Sequence, residues 1–382
     1  MARPLLSPRA YLSVGAVTAA CVLAIVWTWV ALMPLAFFDP EYAAWAAKEE
    51  LLARCDVGEV LVVGDSRAAA GIVPALMPRT TTNLAMGGGK AIEALSVVRR
   101  ALACPDPPRR VVISLNPAQF VRGDLFWERT VRYGLLRARE VAELERVSRE
   151  TGDWSVFEDG HGDGLTGRVR AALYEIRFPA LYFGSLAKGG VFLRLRENRR
   201  ALAQGLRSRG QYFFGTEPGC AAVAVEGHRP DFRPLPVLDW YFDRLLALLA
   251  ARHVRTEFVA IPVNQETWRA TQPAMRAAFA AYLQAYEAKY PILPRRWAEA
   301  PPLTRPLLRR FLLPSESGWR VAPQSRLAAY LDGPPEACAL DWTATAAQTA
   351  SRSKEQGAWS RFPASKFPAS ITAASVRSSS PP

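Results

Sequence analysis

The chain has 382 residues, half of them hydrophobic, with a mean hydropathy of -0.01. That is ample material for a core and excludes both wholesale disorder and a multi-span membrane protein. With 48 Lys and Arg against 35 Asp and Glu, the formal charge is +13. This favours anionic lipid headgroups or an acidic polymer as partner. Nucleic acid is disfavoured, because no recognition module is present and no arginines interleave with aromatics on a strand.

From Ala10 through Phe38 there is no charged residue, a run long enough to cross a bilayer with some tilt. Arg3 and Arg9 precede it, and Asp39 and Glu41 follow. By the positive-inside rule the N-terminus stays cytoplasmic and the remainder is exported. An uncleaved anchor in the inner membrane, residues 1–40, is the reading favoured by run length and by Trp27 and Trp29. The alanines at 43, 44, 46 and 47 leave cleavage of a signal peptide as the rival.

Tyr42 to Arg54 reads as a helix. Val60 to Val63, a short apolar run rich in valine, reads as a strand buried on both faces. It runs into Gly64-Asp65-Ser66, and Ala68 to Ala70 then start a helix. Thr80 to Leu84 is strand-prone and leads to Gly87-Gly88-Gly89. Ala91 to Ala103 is helical, and Val111 to Leu115 is a strand closed by Asn116-Pro117. Alternating strands and helices with short links indicate a parallel α/β sheet, with residues 41–119 as its first part.

Residues 120–236 break that rhythm and read as a helical insertion. Arg132 to Arg149 is expected to be a charged, solvated helix, and apolar clusters occur at Phe178 to Phe183 and Val191 to Leu195. A subdomain packed on the core and a membrane-surface arm both fit this composition. The α/β pattern resumes over residues 237–290, with an amphipathic helix from Val237 to His253, a strand from Thr256 to Ile261 and a helix from Trp268 to Lys289. Residues 291–382 are irregular, rich in Pro, Arg and Ser, and end in a disordered tail.

Cys21 falls in the apolar run. Cys55 and Cys104 each precede a strand at the same sheet edge, so an exported compartment permits a disulfide between them. Two unpaired core thiols are the alternative.

The three loops at 64–66, 83–89 and 115–117 follow three strands and emerge at one edge of a parallel sheet. Together they offer a hydroxyl, glycine N–H donors and a side-chain amide. Those are the parts needed for serine attack on an acyl group with an oxyanion hole. Asp65, and Asn264 and Gln265 after the later strand, are candidates to line the same cleft. Gly64-Asp65-Ser66 also fits a bare strand-to-helix turn, with Asp65 or Ser66 capping the helix. Gly87-Gly-Gly-Lys90 lacks the residues of a phosphate-binding loop. Gly162-x-Gly-x-x-Gly167 has no strand before it and reads as a flexible loop. No metal motif and no cofactor motif is present.

With those loops in place, the sequence resembles the SGNH (GDSL-like) hydrolase superfamily. The likeness is to its membrane-anchored members in cell-envelope and exopolysaccharide acylation, of the alginate O-acetylation and D-alanine-transfer kind. It covers roughly residues 58–118 and, more loosely, 237–290. It implies a three-layer, flavodoxin-like α/β/α fold with Ser66 as nucleophile. The Ser66 N–H, the Gly88 N–H and the Asn116 amide would form the oxyanion hole. It also implies acetyl or other acyl transfer, or ester hydrolysis, on an exopolysaccharide or envelope polymer, beside a multi-span membrane protein that delivers acyl groups. The family's Asp-x-x-His motif is missing. His253 precedes a strand and belongs to the opposite edge, while His161 and His228 lie in the insertion. Two accounts stand: a non-catalytic binding or scaffolding component of a polysaccharide export complex, or a reading frame lost after about Pro291. Leu312 to Gly318 then occupies the place of the missing motif.

Overall fold

The computed structural model describes residues 7–123, 126–157, 164–182, 191–212, 231–259 and 271–291. Its centre is a four-stranded sheet of β1 (Val60–Gly64), β2 (Thr81–Asn83), β3 (Arg110–Ser114) and β4 (Arg255–Phe258). The order is β2-β1-β3-β4 and every pairing is parallel. The valine-rich strands suit a site where both faces are covered. Leu61, Val63, Val111 and Ile113 enter the main core, whereas Val60, Val62 and Val112 enter a smaller cluster with Ala68, Ala69 and Ile72. The expected mixed α/β architecture with a parallel sheet is therefore present.

Parallel strands need crossovers, and helices supply them. The helix α1 (Pro8–Leu32) is followed by α2 (Pro34–Phe37) and α3 (Pro40–Ala53). After β1 come α4 (Ser66–Gly71) and, beyond β2, α5 (Ala91–Ala101). After β3 the chain forms α6 (Ala118–Val121), a π-type turn at Phe126–Val131 and α7 (Ala138–Thr151). Then come α8 (Gly164–Glu175), α9 (Val191–Arg207), α10 (Pro236–Ala251) and α11 (Pro273–Lys289). Tyr282 and Tyr286 of α11 both donate to Asp239 Oδ1 of α10, at 2.7 and 2.8 Å.

Three sequence expectations need correction. The uncharged run is not one element: α1 ends at Leu32, and Phe37 and Phe38 turn back into the domain core at 0% and 2% exposure. The segment Arg132 to Arg149 is not a solvated helix. It begins only at Ala138, after the π-type turn, and buries Val141, Leu144 and Val147 against its neighbours. Gly164 and Gly167 open α8 rather than a flexible loop, and Gly167 is buried. Within the stretch expected to be helical, the apolar cluster Val191 to Leu195 begins a 17-residue helix, α9. It packs closely on α3, where a Cβ on Gly205 would lie 2.7 Å from that of Ala47.

The end of α9 also closes the outer edge of the sheet. Asn83 N–H donates to Arg209 O at 2.9 Å, and Arg209 Nε donates to Thr81 O at 2.8 Å. Cys55 and Cys104 form a disulfide with a Cα separation of 5.5 Å, which settles the open alternative in favour of pairing. By the chain-entropy account, a bridge across 49 residues stabilises by about 4 kcal/mol.

Behind β2, Lys48 is 2% exposed and faces no carboxylate among its hydrogen-bond partners. Its Nζ donates to the carbonyls of Asn83 and Gly210, tying α3 to the strand and to the turn after α9. Burial lowers its pKa from 10.5 to about 7. Between those two values the unfolded chain holds a proton that the native state has released. Native stability therefore climbs with pH across that window, by about 1.4 kcal/mol per unit at most. Below pH 7 both states are protonated and this contribution is flat. Lys48→Met should lose this slope, read as the urea midpoint at pH 7 and pH 8.5. Equal slopes in the two proteins would contradict it.

Candidate functional site

The parallel register brings the carboxyl ends of β1, β2 and β3 to one edge. The loops there interlock through glycine. Gly64 passes so close to β3 that a Cβ would meet Ser114 O at 1.9 Å, and a Cβ on Gly89 would meet Gly64 O at 2.4 Å. Met86 N–H donates to Gly64 O at 2.9 Å and Asp65 N–H to Ser114 O at 3.0 Å. Gly89 N–H closes a turn onto Met86 O at 3.0 Å, with Gly88 at φ +69° as the third turn residue, where glycine is favoured.

In the loops 64–66, 83–89 and 115–117 the half-buried residues are Ser66, Gly88, Asn116 and Pro117, and the rest are buried. Three of these four are the nucleophile and the partner donors expected from the sequence. No hydrogen bond to the Ser66 hydroxyl occurs among the described residues.

Asp65 is 1% exposed and ties the site together. Its Oδ1 caps α4, accepting from Arg67 N–H at 2.9 Å and Ala68 N–H at 3.4 Å. Its Oδ2 accepts from Asn116 N–H at 3.0 Å and from the Asn116 amide. Asp65 is thus the helix cap of the turn reading and also holds Asn116 in place. Asn116 Oδ1 accepts from Ala118 N–H at 2.8 Å, which leaves one amide hydrogen for the cleft.

Several residues around the glycine turn were not legible as site components. Lys90 is buried and its Nζ donates to Gly88 O at 3.2 Å. Glu93 accepts from Lys90 N–H at 2.8 Å and from the Thr130 hydroxyl. Its spacing three residues after Lys90 was a readable helix-start signal. Arg129 reaches back from the π-type turn: its Nε lies 3.2 Å from Glu41 Oε2, and its Nη1 would sit 3.2 Å from a Cβ on Gly88. Burial raises the Glu41 pKa while Arg129 opposes the shift.

The histidines do not complete this site among the described residues. His253 (φ +52°) lies before β4 and lines a cavity of about 730 Å³ with Cys55, Gly58, Arg109 and Val254, at the amino edge of the sheet. That cavity lies on the far side of the sheet from Ser66. His161, His228, Asn264 and Gln265 lie outside the described residues, as does the whole of 292–382. No cluster of three or more His, Cys, Asp or Glu suited to a metal ion occurs among the described residues. Neither a family model nor a curated protein matches the chain.

Proposed function

We propose that this chain is a membrane-anchored, extracytoplasmic serine acyl-transfer or ester-hydrolysis protein of SGNH type. In this reading the sheet is the centre of a three-layer α/β/α domain, and residues 120–236 are an insertion. The observation that carries it is that Ser66, Gly88 and Asn116 are half-buried, not buried, in three interlocked loops at one edge of the sheet. The helix α1, with a mean hydropathy of 2.1 over its most apolar window, would be the anchor. The Cys55–Cys104 disulfide supports an oxidising compartment such as the periplasm.

In the proposed chemistry, Ser66 Oγ attacks an acyl carbonyl carbon and the C=O π pair moves onto oxygen. The Ser66 and Gly88 N–H groups and the free Asn116 amide hydrogen receive that charge. Collapse of the adduct expels the donor's alcohol or thiol and leaves an acyl-serine ester. A polymer hydroxyl, or water, then takes the acyl group and regenerates Ser66. The formal charge of +13 suits an acidic polymer as acceptor. Proton transfer needs a base, and His253 is at the wrong edge to serve. Loss of such a base lowers the rate by about 10⁴–10⁶, leaving what the oxyanion hole and binding provide.

The test is a serine-directed fluorophosphonate applied to the full-length protein in detergent. Slow covalent labelling that disappears in Ser66→Ala and weakens in Asn116→Ala is the expected result. A cooperatively folded wild type that never labels would sink the enzymatic reading. The second reading, a non-catalytic binding or assembly component of a polysaccharide export complex, draws on the placement of His253. It predicts polymer binding that is unchanged in Ser66→Ala.

A further inference from the structure

The helix α8 is apolar on two opposite sides. Gly167, Ala171 and Tyr174 are buried against the domain, as a surface helix requires. On the other side Leu165, Val169, Ala172 and Ile176 follow i, i+4, i+7, i+11 spacing and form one stripe. Leu165, Val169 and Ile176 are 76%, 49% and 46% exposed. Among the described residues, every exposed large hydrophobic side chain belongs either to α1 and Met33, to this stripe, or to Leu193 at the start of α9. An unpaired stripe of this kind marks an interaction surface.

What covers the stripe is indicated by what it adjoins. Trp27 Nε1 donates to Ile176 O at 2.8 Å, and the Trp27 ring meets Phe178 edge-on at 5.6 Å. Arg177 Nη1 donates to Ala31 O at 2.6 Å, and Asn198 of α9 donates to Leu35 O at 2.8 Å. The stripe therefore ends against the last turns of α1. A helix of 25 residues is roughly 37 Å long against about 30 Å of hydrocarbon, so its final turns reach the headgroup level. Trp27 falls there, and tryptophan favours that depth. Arg196 and Arg200 are exposed beside Leu193 on α9, where they would meet anionic headgroups.

We infer that α8, with the start of α9, lies along the outer face of the membrane that α1 crosses, its stripe seated in an anionic lipid surface. This rests on the reading of α1 as a spanning anchor. The consequence is a second point of membrane contact, so the domain rides at a set height and tilt rather than swinging on a tether. The site edge would then present to substrate at a fixed distance from the bilayer.

The test uses the full chain in nanodiscs of phosphatidylethanolamine and phosphatidylglycerol. Cys21, Cys220 and Cys338 are replaced by serine, and a nitrobenzoxadiazole label is placed at Val169→Cys, Leu23→Cys or Glu150→Cys. Lipids carrying a nitroxide near the headgroup should quench the Val169 label at least two-fold and leave the Glu150 label on α7 unchanged. Nitroxide deep in the acyl chain should quench the Leu23 label. If Leu23 is quenched while Val169 behaves like Glu150, the surface contact is wrong and the anchor stands. A Val169 label that is blue-shifted yet unquenched would assign the stripe to a protein and overturn the proposal. If Leu23 is not quenched, the anchor reading falls and this inference falls with it.

Discussion

Gly64→Ala is expected to destroy the native sheet. The added Cβ would stand 1.9 Å from Ser114 O and 2.8 Å from Ser114 C, both backbone atoms of a central strand that no side-chain rotation can clear. The φ of +152° adds backbone strain for any residue bearing a Cβ. Relief requires β1 and β3 to part, which breaks Asp65 N–H to Ser114 O and loosens Met86 N–H to Gly64 O. The expected loss exceeds about 4 kcal/mol, a large share of the total stability of an ordinary domain. Gly134→Ala is the matched control, since its φ is +81° but nothing lies within 4 Å of the new atom. That variant should cost only the strain of a left-handed residue, about 1 kcal/mol. Urea unfolding of the full-length proteins in detergent decides it: similar midpoints for the two variants would refute the steric argument.

Asp65→Ala should cost about 3–5 kcal/mol, from the lost helix cap together with bonds to a charged acceptor. All of the groups facing this carboxylate are donors: Arg67 and Ala68 N–H on one side, Asn116 N–H and its amide on the other. Asp65→Asn keeps the shape but turns an NH₂ toward donors, so it should recover less than half of the loss. Cavity formation is minor here and unpaired donors dominate. A Asp65→Ala midpoint within 1 kcal/mol of wild type, roughly, would show that the carboxylate is not the tie between α4 and the Asn116 loop. Because Asn116 is released in Asp65→Ala, that variant should also lose fluorophosphonate labelling by more than its stability loss explains.

The strands and edge loops were legible because their signals are local. A valine run, a Gly-Asp-Ser turn and an Asn-Pro stop each need only neighbouring residues to be read. The edge on which His253 sits followed from its place before a strand, and the structure puts it there. The remainder depends on partners far along the chain. Lys48, in a Lys-Glu-Glu segment, reads as solvated, yet its acceptors are Asn83 and Gly210. Helix α9 is masked by its arginines, and its fit to α3 rests on a single small residue, Gly205, opposite Ala47. Arg129 gives no hint in sequence that it folds back over Gly88. The 64–66 and 115–117 loops were expected at one edge of the sheet, but the bond between Asp65 and Asn116, 51 residues apart, was not legible.

The closure of the sheet edge by Arg209 has a consequence for the history of the chain. An unpaired outer strand is a template on which other chains can add, and it seeds aggregation unless something occupies it. Here the occupant arrives 128 residues after Thr81. During synthesis β2 would therefore emerge with its outer side bare, while the chain through α9 is still to come. Any product ending before residue 209 keeps that side bare permanently. Such fragments should collect as insoluble aggregates even with β1, β2, β3 and the disulfide intact.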